Sequence, residues 1–195
     1  MEMRIAPKSR MVVGISGASG VIYGKRLLEV LRDRDVETHL VMSRAAYITM
    51  AAETDFTPRD LEALATVCHN NKDIGASCSS GSFRTLGMIV APCSVKTMSE
   101  IATGTTSNLL SRAADVTLKE RRRLVLMLRE TPLHLGHIRS MAQVTEMGAI
   151  IYPPVPAFYA KPQTLDDMVN HTIGRVLDLF DLDVGLAHRW AGLTP

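Results

Sequence analysis

Five short runs of mainly apolar residues punctuate the chain: Met11–Ile15, Glu37–Met42, Leu86–Ala91, Leu124–Leu128 and Ala149–Tyr152. Runs of this length predict strands buried on both faces, as in a parallel sheet. Helical periodicity fills the intervals. Over Val21–Arg34, residues Val21, Gly24, Leu28 and Leu31 fall on one face with charges opposite. Ser43–Glu53 opens on a good N-cap residue, and Thr57-Pro58 sets a cap and a first-turn proline for another helix. Ser94–Ala102, Ser107–Ala114, Leu135–Met147 and Thr164–Phe180 complete the set. Alternation of this kind predicts a doubly wound α/β sheet in one domain spanning 1–195, with a flexible N-terminus (1–10) and a C-terminal tail (181–195).

Two stretches break the alternation. Asn70–Phe83 is rich in Ser, Gly and Asn and is expected to be a connecting loop; Tyr152–Pro162 holds four of the nine prolines and cannot be a regular helix or a central strand. In doubly wound folds ligands sit beyond the carboxyl ends of the strands. That rule gathers Gly17–Gly20, Ser43, Pro92–Thr97 and Arg129-Glu130 around one crevice.

Composition narrows the classes. At 195 residues, 46% hydrophobic and 22% charged, the chain is an ordinary globular protein able to bury a substantial core. A net charge of +2 points to neither nucleic acid nor a membrane surface, and no apolar run approaches the roughly 20 residues that span a bilayer. Three cysteines without a C-x-x-C pair indicate no disulfide framework, and a cytoplasmic protein is expected.

Candidate chemistry starts at Gly14-Ile-Ser-Gly-Ala-Ser-Gly20, a turn between a strand and a helix. Such turns present backbone N–H groups to an anion, usually a phosphate, although a plain tight turn reads the same way. The G-x-x-G-x-x-G spacing is not the dinucleotide fingerprint G-x-G-x-x-G. The second strand ends on Ser43 rather than on an acid that would hold a ribose, so a phosphate ligand other than NAD is expected. Arg129 could pair with that phosphate and Glu130 could move protons; a surface ion pair is the bland alternative. Lys119 opens the basic run Lys119–Arg123 and could share a face with Arg112-Ala-Ala-Asp115. Cys93, just past a strand, reads better as a small buried residue than as a nucleophile, and Ser94 and Thr97 are better placed to bind a ligand. His134 and His137 have a metal-chelating spacing but no third ligand, so no metal is expected. Trp190 is read as an interface or core anchor ahead of a ligand-stacking residue.

Taken together, the motifs resemble the UbiX-type flavin prenyltransferases, also described as phenylacrylic or hydroxyarylic acid decarboxylase subunits. The matching stretches are Gly14–Gly20, Glu53-Thr-Asp55, Ala91-Pro-Cys-Ser94, Ala102-Thr-Gly104, Asn108–Arg123, Arg129-Glu-Thr-Pro-Leu133, Pro156-Ala-Phe-Tyr-Ala-Lys-Pro162 and Arg175, in family order. The resemblance implies a Rossmann- or flavodoxin-like three-layer αβα flavoprotein. It implies metal-free transfer of a dimethylallyl group from dimethylallyl phosphate to N5 and C6 of reduced FMN, making the prenylated FMN used by a UbiD-type aromatic acid decarboxylase. By the same resemblance Gly17, Ala18, Ser19, Ser43, Ser94, Val95, Lys96, Thr97 and Arg129 hold FMN. Arg112, Lys119, Arg129, Tyr159 and Arg175 bind the prenyl phosphate, with Tyr159 and Arg175 supplied by a neighbouring subunit of a homo-oligomer, a dodecamer by resemblance. Glu130 moves protons, with Ser19, Glu53 and Lys119 completing the catalytic set.

Three departures stand out. Leu128 replaces a proline often found before the Arg-Glu pair, Ile138-Arg-Ser-Met141 replaces a common Leu-x-Asn-Met, and the 60–81 loop resembles members associated with hydroxybenzoate or vanillate decarboxylases. A cysteine-type FMN decarboxylase and a non-catalytic flavin carrier are the rival readings; the first would need a Pro-x-Met-Asn motif, absent here, and the second has no use for the extra cations.

Overall fold

Six parallel strands form one sheet in the order β3-β2-β1-β4-β5-β6 in the computed structural model, which describes residues 9–190 and 192. They are β1 (Arg10–Ile15), β2 (Glu37–Met42), β3 (Val67–His69), β4 (Gly87–Cys93), β5 (Arg123–Leu128) and β6 (Ile150–Ile151). Val13 lies level with Leu40 on one side and Ile89 on the other, so apolar side chains stack in rows across the centre. The chain divides into two compact units, 1–153 and 154–195, and the whole sheet belongs to the first.

The α/β expectation holds, with informative differences. β3 escapes the sequence pattern because Val-Cys-His is too short to show a period. Tertiary pairing makes it a strand: Thr38 and Thr66 exchange backbone-to-hydroxyl bonds of 3.1 and 3.0 Å, and His39 Nδ1 meets His69 Nε2 at 2.8 Å. β4 runs on through Pro92 to Cys93, at the cost of a register shift against β5 between Val90 and Cys93, because proline has no N–H for the ladder. Residues 1–8, most of the expected flexible N-terminus, lie outside the described residues; Arg10 opens β1, and its guanidinium donates to Glu37 at 3.0 Å.

The first unit contributes helices α1 (Val21–Asp33), α2 (Arg44–Glu53), α3 (Pro58–Glu62), α4 (Val95–Ala102), α5 (Leu109–Lys119) and α6 (Leu135–Glu146). Met98, Ile101, Leu109, Leu110, Ala113 and Val144 from α4, α5 and α6 share one core with the Val12, Met88, Val90, Leu124 and Leu126 face of the sheet. On the opposite face Gly24 of α1 lies against Ile15 and the Ala91 carbonyl. This gives the helix–sheet–helix layering expected of a flavodoxin-like fold. Helix α5 runs a turn and more beyond the expected Ala114, because Val116 and Thr117 continue its buried face.

The second unit holds a 3-10 turn at Phe158–Ala160 and α7 (Leu165–Asp178). Thr164 and Asp167 form a reciprocal capping box at the start of α7. The helix stops short of the expected Phe180, and Asp181 leaves it with φ 60. Of the expected C-terminal tail, 191 and 193–195 lie outside the described residues.

Candidate functional site

The strand order reverses between β1 and β4, and the loops at their carboxyl ends build a crevice there. Ser16 locks the two loops together. Its hydroxyl, fully buried, donates to the Pro92 carbonyl at 2.9 Å and accepts from the Ser94 amide at 2.7 Å. The sequence carries no signal for this clamp, since Ser16 is one more polar residue in a Gly/Ser turn.

Gly17 is required by close approach: a Cβ there would stand 2.3 Å from the Ala45 Cβ of α2. We expect Gly17→Val to push α2 away from the turn and to lower stability by about 1–3 kcal/mol, the usual range for overpacking. Flavin retention should fall as well. Thermal unfolding and the flavin absorbance of the purified variant measure both, and an unchanged melt with full flavin would contradict the constraint.

Two cavities make up the crevice. One, of about 390 Å³, is lined by Gly17, Ala18, Ser19, Val95, Arg129 and Glu130 among others. The second, of about 370 Å³, adds Ser43, Arg44, Thr97 and Glu100. Both are bordered by Gly17, Ala45, Ser94 and Lys96, so they adjoin. The structure thus brings every residue expected to hold FMN to one crevice, with Glu130 at its side. A larger cavity of about 520 Å³ adjoins it at Arg44 and Asn71 but contains none of the expected site residues.

Two helices begin at this crevice with serine caps. Ser43 Oγ accepts from the Ala46 amide at 3.2 Å, and Ser94 Oγ accepts from the Thr97 amide at 3.3 Å. Their N-terminal dipoles favour an anion, and the cations Arg44 and Lys96 stand beside them. Lys96 is held at 2.6 Å by Glu100, which also accepts from Ser107 and Asn108. Burial works against that carboxylate's charge, but these donors outweigh it and leave the pKa below the ordinary glutamate value.

Helix α1 differs from the expectation of a phosphate site at Gly17–Gly20. Gly20 caps it with φ 102, and the first amides, Gly20 and Val21, already donate to Glu53 Oε2 at 2.8 and 3.4 Å. A carboxylate occupies that helix end, and a phosphate placed there would meet like charge. The α2 and α4 N-termini are capped by neutral serine hydroxyls instead.

Other expected residues sort as follows. Arg129 continues the β5 pairing by donating its amide to the Cys93 carbonyl at 3.0 Å, and Glu130 Oε1 accepts from the Thr131 amide at 3.0 Å. Arg112 and Lys119 lie two turns apart on α5. Arg112 pairs with Asp115 at 2.7 Å and Lys119 with Glu120, and neither lines the crevice cavities. Cys93 is fully buried, which pushes its thiol up to about 12 and removes it as a nucleophile. His134 caps α6, its Nδ1 accepting from the Gly136 and His137 amides at 3.0 and 3.4 Å, so local capping explains the chelator-like spacing. Among the described residues no group of three or more His, Cys, Asp or Glu is arranged to hold a metal. Arg122, within the basic run Lys119–Arg123, donates to the Phe83 and Gly81 carbonyls and ties down the preceding loop.

The second unit gathers the remaining residues by itself. The Tyr159 hydroxyl lies 3.2 Å from His171 Nε2, and its ring stands edge-on to Trp190 at 6.3 Å. Arg175 pairs with Asp178 at 2.8 Å, and the same carboxylate takes a two-pronged bond from Arg189. Trp190 is 61% exposed, so it is not a core residue of this chain.

Known proteins resemble this one along nearly its whole length. The Flavoprotein family pattern matches residues 2–177. A flavin prenyltransferase UbiX of Thauera aromatica is 62% identical over 183 residues, covering 94% of each chain. The AnUbiX (PadA1) crystal structure, a complex with FMN and dimethylallyl pyrophosphate, is 52% identical. It superposes with a TM-score of 0.94 over 96% of this chain and 100% of its own. A dodecameric FMN-dependent UbiX-like decarboxylase from Escherichia coli O157:H7 is 50% identical with a TM-score of 0.91, covering 94% of this chain and 100% of its own.

Proposed function

The chain belongs to the Flavoprotein family and, within it, to the UbiX flavin prenyltransferases, and from that premise we propose that it transfers a dimethylallyl group from dimethylallyl phosphate to reduced FMN. Bonds form at flavin N5 and C6, and the product, prenylated FMN, serves a UbiD-type aromatic acid decarboxylase. The observation that supports this most directly is the pair of adjoining cavities lined by Gly17–Ser19, Ser43, Ser94–Thr97, Arg129 and Glu130. FMN fits the donor set: two serine-capped helix N-termini with Lys96 and Arg44 for its phosphate, and backbone closely exposed at Gly17 for the rest.

In this reading Glu53 fixes the turn that carries Ser19, through its bonds to the Gly20 and Val21 amides. Arg129, with Arg112, Lys119, Tyr159 and Arg175, neutralises charge growing on the departing phosphate as the allylic C–O bond breaks. Forming the C6 bond removes a ring proton and adds one to the former alkene, and Glu130 is the group assigned to that transfer. The active assembly is a homo-oligomer, a dodecamer like the Escherichia coli relative, in which Tyr159 and Arg175 reach a neighbouring subunit's crevice. Exposed Cys68 and buried Cys78 and Cys93, all free thiols, fit the reducing cytoplasm to which we assign it. Among the described residues no helix is long and apolar enough to cross a membrane.

Anaerobic incubation with reduced FMN and dimethylallyl phosphate should yield a flavin heavier by one isoprene unit. The yield should be the same in EDTA, because side-chain cations do the electrostatic work. Unchanged FMN in protein that demonstrably binds both ligands would overturn the proposal. Activity lost to the chelator and restored by Mg²⁺ would overturn its metal-free form.

A further inference from the structure

We propose that His171 is a positioning residue that turns the Tyr159 hydroxyl into a fixed proton donor for the prenyl phosphate; this rests on the reading above that Tyr159 contacts that phosphate. The argument is one of proton counting. The His188 backbone N–H can only donate, and it lies 3.1 Å from His171 Nδ1, so Nδ1 must be the unprotonated nitrogen. The proton of the neutral ring is then on Nε2, which faces the Tyr159 hydroxyl oxygen at 3.2 Å. With Nε2–H donating, the phenol oxygen acts as acceptor toward His171. Its own proton is left for another acceptor, and a phosphate oxygen is the strongest acceptor this reading brings to the site. Were the tautomer reversed, the phenol would spend its proton on the imidazole and present only lone pairs to an anion.

The surroundings hold the ring in that state. His171 is 8% exposed, and its ring meets Tyr159 edge-on at 5.6 Å between centroids. Burial, with the positive charge of Arg175 and against the pull of Asp178, keeps the imidazole pKa below the ordinary value. A second proton would set Nδ1–H against the His188 amide. Gly174 lets the segment carrying that amide lie close on α7, since a Cβ there would come within 2.7 Å of the Ala187 nitrogen. Asp178 then holds Arg189, one residue further on, with two bonds. The 186–190 segment therefore acts as a template for the tautomer, a function that neither its exposed position nor its composition suggests.

Two substitutions separate the two bonds. Asn can place its amide oxygen near Nδ1, and Gln can place its amide N–H near Nε2. His171→Asn should keep the bond to the His188 amide and lose the one to Tyr159. The expected result is a dimethylallyl phosphate KM raised about three- to tenfold, with kcat, FMN affinity and melting temperature little changed. His171→Gln should do the reverse, lowering the melting temperature while retaining most of the wild-type KM. Tyr159→Phe should raise KM about tenfold or more, and adding His171→Asn to it should cost nothing further, because the positioned group is already gone. If Tyr159→Phe leaves KM unchanged, the contact between Tyr159 and the phosphate fails, and this inference fails with it. If Tyr159→Phe raises KM but His171→Asn does not, or the two losses add, the contact stands and the positioning role is overturned.

Discussion

Co-assembly of a Tyr159→Phe/Arg175→Ala chain with a Lys119→Ala/Glu130→Gln chain is expected to restore activity that neither possesses alone. On the proposed reading, each parent loses two groups that act on the transition state. Donors of this kind are worth about 10²–10³ in rate apiece, so each parent should fall at least about a thousandfold. The mutations divide between the two compact units, residues 1–153 and 154–195. If a neighbour supplies the second unit's residues, random mixing places an intact first unit beside an intact second unit in about one site in four of a symmetric assembly. Activity approaching a quarter of wild type would be a gain of several hundredfold over either parent. Mixed oligomers no more active than the parents would mean that each site belongs to a single chain. Size-exclusion analysis of the mixture, with one chain tagged, checks that hybrids formed.

Ser94→Asp should empty the protein of flavin without unfolding it. Aspartate caps helices as well as serine does, so the bond to the Thr97 amide at the start of α4 can be kept. What changes is charge. A carboxylate about 4 Å from a phosphate costs about 4 kcal/mol at an effective dielectric of 20, close to a thousandfold in affinity. The same substitution at Ser43 should act similarly from the start of α2. Ser19→Asp, beside the helix end already occupied by Glu53, should act on turnover more than on retention. Flavin content after gel filtration reads the difference. A Ser94→Asp protein with stoichiometric FMN, next to an empty Ser19→Asp protein, would return the phosphate to the first glycine turn.

Much of this site was legible because it lies where chain-local rules apply. Strands β1, β2, β4 and β5 are apolar runs flanked by breakers, and Ser43, Thr57, Ser94 and Thr164 announce helix starts through capping chemistry that needs only neighbouring residues. Once the strands are parallel, their carboxyl ends must meet, and Gly17–Gly20, Ser43, Ser94–Thr97 and Arg129-Glu130 fall together without any distance being known. The motif resemblance named the ligand that this crevice suits. It also carried the assignments of Tyr159 and Arg175, which no local rule could have reached.

Tertiary structure decided matters that depend on partners distant in the chain. Strand β3 exists because Thr38 and His39 offer Thr66 and His69 their hydrogen bonds, across about thirty residues of chain. Ser16 became the clamp between two loops only when Pro92 and Ser94 arrived beside it. Glu53 closed the α1 N-terminus with a carboxylate, an outcome governed by where the far end of α2 lands. Likewise His134, one of a pair with chelator-like spacing, is the N-cap of α6, its Nδ1 accepting from the Gly136 and His137 amides. Periodicity and capping are local free-energy preferences, and a sequence displays them directly. Which acceptor finally satisfies a given N–H, and which nitrogen of His171 carries the proton, is settled only when folding brings distant groups within about 3 Å, because hydrogen bonding acts at contact range.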